Sequence, residues 1–190
     1  MSAASPERFR LFVALELPDA VRSALVRWRD SVLVPTMRPV PSESMHVTLC
    51  FLGSVPAAEV SAIGDACAAA LAGERPVPLG VGSVAWLPRR RPQVLSVAVD
   101  DPSGGLAGRQ AALSEALAAG GWYRPESRPF LAHVTVARVR RGQRMRAAQL
   151  VAPPELGFSG SRVTLFRSHP GSRYEPLATI RTLSAGDREL

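Results

Sequence analysis

The tripeptide His-Val-Thr occurs twice, at 46–48 and 133–135, and each copy closes the same series of elements. An alternating apolar run ends at a proline (Pro18 or Pro102), an amphipathic segment follows, then a proline-bearing loop, then the tripeptide. Pro18 and His46 lie 28 residues apart, and Pro102 and His133 lie 31 apart. Repetition of element order at nearly constant spacing marks an internal duplication. Duplicated lobes commonly pack about a pseudo-twofold axis, which would bring the two His-Val-Thr strands to face one another across a cleft. The expectation is one two-lobed domain over 1–190.

Hydrophobic periodicity fills in the elements. Phe9, Leu11, Val13, Leu15 and Leu17 share one parity, as in a half-buried strand over 8–17. After Pro18-Asp19, Val21, Leu25, Trp28 and Val32 fall on one helical face. The segment 35–44 reads as a loop and 45–52 as a strand that Gly53 ends. Further helices are expected over 56–71 and 103–119, the latter stopped by Gly120-Gly121. Strands are expected over 81–87, 94–99, 130–139, 162–167 and 177–183, with a short helix over 144–150. Strands and helices in mixed order, without a regular βαβ repeat, predict an α+β fold: mainly antiparallel sheets flanked by helices around a central cleft.

Composition narrows the function. The net charge is +7, and all 23 basic residues are arginine. A chain without lysine has no Schiff-base chemistry and no P-loop. Arginine suits phosphate recognition, although arginine in place of lysine also follows from genome composition. The first ten residues carry no secretory signal, and no apolar run approaches the length of a membrane span. Cys50 and Cys67 lack metal-ligand spacing and read as buried reduced thiols. A cytoplasmic protein with no membrane association is expected.

Side chains at i and i+2 of a strand share a face. His46 and Thr48 therefore project together, opposite Val47 and Leu49, and His133 and Thr135 do the same, opposite Val134 and Val136. Two imidazoles facing one space suit paired acid–base work: one takes a proton from an attacking oxygen, the other gives one to a leaving oxygen. The two hydroxyls supply hydrogen bonds to a tetrahedral anion between them. In-line displacement at phosphorus requires such an opposed pair. A two-histidine metal site would need a third ligand, which neither motif supplies, and Asp100 and Asp101 read as caps of the following helix. No metal and no cofactor are expected.

The residues quoted above, with Arg10-Leu11-Phe12-Val13-Ala14-Leu15-Glu16-Leu17-Pro18, Leu49-Cys50-Phe51-Leu52-Gly53, Arg128-Pro129-Phe130, Val136-Ala137-Arg138-Val139, Val163 to Ser168 and Arg173-Tyr174-Glu175-Pro176-Leu177, resemble the RNA 2′,3′-cyclic phosphodiesterases of the 2H phosphoesterase superfamily, also known as 2′-5′ RNA ligases. The resemblance implies hydrolysis of a terminal 2′,3′-cyclic phosphate to a 2′-phosphomonoester, with reversible 2′-5′ ligation. It implies His46 as proton donor, His133 as proton acceptor, and Thr48 and Thr135 as phosphate ligands. Partners would be RNA with 2′,3′-cyclic phosphate ends or nucleoside 2′,3′-cyclic phosphates, taken by a monomer. Ala132 departs from the proline usual before the second motif, and Cys50 from a larger, often basic residue. The alternatives are a phosphodiesterase for small cyclic nucleotides and a non-catalytic RNA- or nucleotide-binding module.

Arg138 completes an H-x-T-x-x-R pattern and is a candidate phosphate ligand. Its parity opposes that of His133 and Thr135, so a bulge would be needed to turn it inward. Arg89-Arg90-Arg91 and Arg140, Arg141, Arg144 and Arg146 read either as a solvated surface or as an RNA track. Phe12, Phe51 and Phe130 read as core residues, with base stacking as the alternative, and His169 reads as part of a turn.

Overall fold

A computed structural model describes residues 6–182. Nine strands form one sheet: β1 (Arg8–Glu16), β2 (Met37–Pro39), β3 (His46–Pro56), β4 (Val77–Leu87), β5 (Val94–Asp100), β6 (His133–Val139), β7 (Gly157–Gly160), β8 (Arg162–His169) and β9 (Arg173–Arg181). Helices α1 (Asp19–Val32), α2 (Val60–Ala70) and α3 (Gly105–Ala119) complete the α+β fold. Strand order is β7-β4-β5-β6-β3-β1-β8-β9, with β2 attached to β6, and every pairing is antiparallel. None of the helices described is long and apolar enough to cross a membrane.

The strands carrying the two His-Val-Thr tripeptides, β3 and β6, meet at the middle of the sheet through a single ladder pair, Val47 and Val134. Outward from that junction each half runs in the same order. The motif strand comes first, then the strand that precedes the long helix (β1 or β5), then two outer strands. Both halves thus belong to one continuous sheet.

Alternation explains the core. Leu11, Val13 and Leu15 of β1, Val47 and Leu49 of β3 and Val163 and Leu165 of β8 turn to one face, where they meet Ile63 and Cys67 of α2 and Leu106, Leu113 and Leu117 of α3. Phe12 and Ala14 are buried as well. β1 lies between β3 and β8, and its second face is covered by the aromatic groups around His46. A strand covered on both sides reads less cleanly as alternation.

Several boundaries differ from expectation. Gly53 does not end β3: with φ of +71° it lets the strand bulge and continue to Pro56. The bulge pairs Leu11 with Gly53 but Phe12 with Phe51. No helix forms over 144–150. That irregular segment is held instead by two indoles, Trp86 Nε1 donating to the Ala148 carbonyl at 2.9 Å and Trp28 Nε1 donating to the Val151 carbonyl at 3.0 Å. Of the two expected caps only Asp101 reaches α3, accepting from the Ala107 amide at 2.9 Å. Asp100 packs instead against Gly82, where a Cβ would stand 2.5 Å from its carboxylate. Of the 177–183 strand, Leu183 lies outside the described residues, and β9 begins four residues earlier, at Arg173.

Candidate active site

Val47 and Val134 point into the core, so the flanking His46, Thr48, His133 and Thr135 point to the opposite face. Antiparallel register through this pair sets His46 beside Thr135 and Thr48 beside His133. Each imidazole is fixed alike: His46 Nδ1 donates to the Ser44 carbonyl at 2.9 Å, and His133 Nδ1 to the Leu131 carbonyl at 2.8 Å. In both cases the acceptor lies two residues upstream. With Nδ1 so engaged, Nε2 is the nitrogen of each ring left for other partners. His46 Nε2 accepts from the Thr48 hydroxyl at 3.1 Å, and Thr135 Oγ1 lies 3.4 Å from Ser96 Oγ.

The two histidines differ in surroundings. His46 is walled by Phe12 and Tyr174, with ring centroids at 4.9 and 5.2 Å, and by Phe166 at 6.4 Å. Burial pushes its pKa down to about 4, against the stabilising Ser44 carbonyl, and the Arg138 and His133 charges push the same way. His133 stands at the rim of a cavity of about 670 Å³ that also reaches Thr48, Phe51, Val94, Tyr123 and Phe130. Sites of that size hold small organic molecules.

Both motif strands bulge at the same place. In β3, Val13 faces Cys50 while Ala14 faces Thr48, so Leu49 is the extra residue. In β6, Leu95 faces Ala137 while Ser96 faces Thr135, so Val136 is extra. Each bulge turns two successive apolar residues inward and inverts the parity beyond them. This bulge brings Arg138 onto the face of His133 and Thr135, close enough for its charge to act on His46. The equivalent position in β3 is Phe51. It is 43% exposed at the cavity, not in the core as its parity predicts. Phe12 is buried against His46 and Phe130 is a partly buried cavity wall.

Sequence reasoning passed over Phe166 and Tyr174 as site walls. The signal for both is their place in the two C-terminal strands that pair outward from β1. His169 ends β8 and contacts Glu175 at 2.8 Å. Burial raises the Cys50 and Cys67 thiols to about 12, with Cys67 adding to the shift at Cys50, so both are held as thiols. The exposed Arg89, Arg90 and Arg91 follow Leu87 and Pro88, which line the cavity. Arg140 is tied by Nε to the Pro35 carbonyl at 2.9 Å. Among the described residues no group of three or more His, Cys, Asp or Glu side chains is arranged to hold a metal ion.

An antiparallel α+β sheet presenting one His-x-Thr pair from each half defines the protein's class. Residues 17–172 match the 2′-5′ RNA ligase superfamily, and the chain belongs to it. It is 32% identical over 180 residues to the RNA 2′,3′-cyclic phosphodiesterase of Escherichia coli K12, a match covering 88% of this chain and 93% of that one. It is 26% identical to the RNA 2′,3′-cyclic phosphodiesterase of Geobacillus stearothermophilus, over 95% of this chain and 60% of that protein. Among solved structures, Escherichia coli LigT complexed with 3′-AMP superposes with a TM-score of 0.80 at 27% identity, over 94% of this chain and all of the other.

Proposed function

We propose that the protein is an RNA 2′,3′-cyclic phosphodiesterase that opens a terminal cyclic phosphate to a 2′-phosphomonoester without a metal ion. His133 Nε2 takes a proton from water as the water oxygen bonds to phosphorus. The bond from phosphorus to the 3′ oxygen breaks, and His46 Nε2–H delivers a proton to that oxygen. Thr48, Thr135 and Arg138 hold the non-bridging oxygens, whose charge grows in the transition state. With a 5′-hydroxyl in place of water as the nucleophile, the same steps form a 2′-5′ linkage as the 3′ oxygen leaves and is protonated. The cavity beside His133 takes the terminal nucleoside, with Phe51 offering an exposed ring for the base. We also read the chain as a single two-lobed, monomeric domain that arose by duplication, since the bulges and the Nδ1 anchors repeat in both halves.

The observation that carries this reading is the pair of imidazoles anchored identically through Nδ1 on both sides of one junction, with Nε2 left for side-chain or substrate partners, the Thr48 hydroxyl in the case of His46. Incubation of an RNA with a 2′,3′-cyclic phosphate end in EDTA, followed by phosphorus NMR, tests it. A 2′-phosphomonoester should accumulate. No turnover, turnover abolished by EDTA, or a 3′-phosphate product would contradict the reading. Comparable turnover of nucleoside 2′,3′-cyclic phosphates and of RNA ends would favour small nucleotides as the substrate. Binding without turnover would mark a nucleotide-binding module.

A further inference from the structure

The short strand β2 brings a second arginine to the site. Its register on β6 pairs Met37 with Val139, Arg38 with Arg138 and Pro39 with Ala137. Met37 and Val139 are buried, so Arg38 and Arg138 share the opposite face, the one carrying His133 and Thr135. Directly opposed residues of an antiparallel pair stand with Cβ atoms about 4.5–5.5 Å apart, and like charges so placed repel. Neither guanidinium has a hydrogen bond or ion pair to any described side chain or carbonyl. Arg38 is also held on fixed backbone. The Val40 amide donates to the Val136 carbonyl at 2.9 Å, and the buried Arg29 of α1 donates through Nη1 to the Val40 carbonyl at 2.6 Å.

Two opposed, unneutralised guanidinium groups on a braced strand pair form an anion site wider than one phosphate requires. Arg138 is committed to the phosphate between the histidines, which leaves Arg38 for a second one. We propose that Arg38 binds the 5′ phosphate of the terminal nucleotide, so that the site prefers a nucleotide carrying phosphates on both sides of its ribose to one carrying a single phosphate. The inference rests on the reading of the His-x-Thr pair as a phosphate site. In RNA the second phosphate is the diester leading to the preceding nucleotide, so Arg38 would make the enzyme favour polymer ends over free nucleosides.

Equilibrium binding separates this proposal from the catalytic one. Calorimetric Kd values for a nucleoside 3′,5′-bisphosphate and the matching nucleoside 3′-monophosphate give a ratio that needs no turnover. The wild type should favour the bisphosphate, and Arg38→Gln should lower that preference about tenfold, the worth of one charge-assisted hydrogen bond. Arg38→Lys should retain part of it, since the charge remains without the planar fork. Arg27→Gln removes an exposed charge from α1 and controls for the overall field. An unchanged ratio in Arg38→Gln, or an equal fall in Arg27→Gln, would overturn the assignment. If the ratio behaves as expected but no cyclic phosphate is hydrolysed, the proposed reaction fails and the subsite stands.

Discussion

In the proposed reaction His46 reaches the leaving oxygen with a proton on Nε2, yet burial among its aromatic neighbours, helped by the Arg138 charge, holds the free imidazole neutral down to about pH 4. In that reaction the substrate phosphate would supply the missing counter-charge. An anion set between Thr48 and Thr135 favours imidazolium and opposes both desolvation and Arg138. Titration of the His46 ring by proton NMR should therefore give a midpoint near 4 in the free protein and a clearly higher one with bound phosphate. The low value also fixes a stability trend. A histidine whose pKa falls from 6.5 on folding binds more protons when unfolded, so stability is lost as pH drops from 6.5 toward 4. Phe12→Leu opens the wall beside His46, raises the folded value alone, and should narrow that window from its acid end in denaturant titrations at several pH values. For catalysis, His46→Ala and His133→Ala should each lower kcat/KM at least about 10²-fold, as expected for loss of a general acid or base.

At the scale of elements, the paired apolar residues within the motif strands decide what faces the site. Leu49-Cys50 and Val136-Ala137 interrupt alternation, and each interruption is a bulge. Those dipeptides were readable in the sequence as breaks in period, but the strand that absorbs the extra residue is fixed only by its partner, β1 or β5. For that reason His46, Thr48, His133 and Thr135 followed from spacing alone, whereas the inward turn of Arg138 and the exposure of Phe51 did not. β2 and β7, of three and four residues, were invisible for a related reason: they exist through pairing with β6 and β4 and carry too few residues for a pattern. In place of a helix over 144–150 the chain runs irregularly, anchored by indole hydrogen bonds to the Ala148 and Val151 carbonyls. At Gly53 the φ of +71° is met by open space, with nothing nearer than 4.0 Å to a Cβ. Gly53→Ala should therefore cost backbone strain alone, about 1–2 kcal/mol by denaturant unfolding.

Across the whole molecule, two arginines among the described residues have left the surface. Arg29 braces β2, and Arg109 of α3 ties the β7 end to the α2–β4 connection by donating to the carbonyls of Gly160 (2.8 Å) and Arg75. Desolvation lowers the pKa of Arg109, and Glu74 at 3.7 Å offsets part of that cost. Arg109→Leu strands two carbonyls and should lower stability by about 3 kcal/mol, seen as a Tm drop of about 6–12 °C. The lysine-free composition thus resolves into distinct uses: core braces, site cations and an exposed remainder. The proposed reaction divides labour between the halves, with β3 giving the acid and β6 the base. Bridging sulfur at the 3′ position of the cyclic phosphate tests it, because a thiolate leaves without needing a proton. Comparing kcat/KM for sulfur and oxygen substrates, the defect of His46→Ala should largely vanish with sulfur, while that of His133→Ala persists. Equal defects of His46→Ala on both substrates, or rescue of His133→Ala instead, would contradict the account.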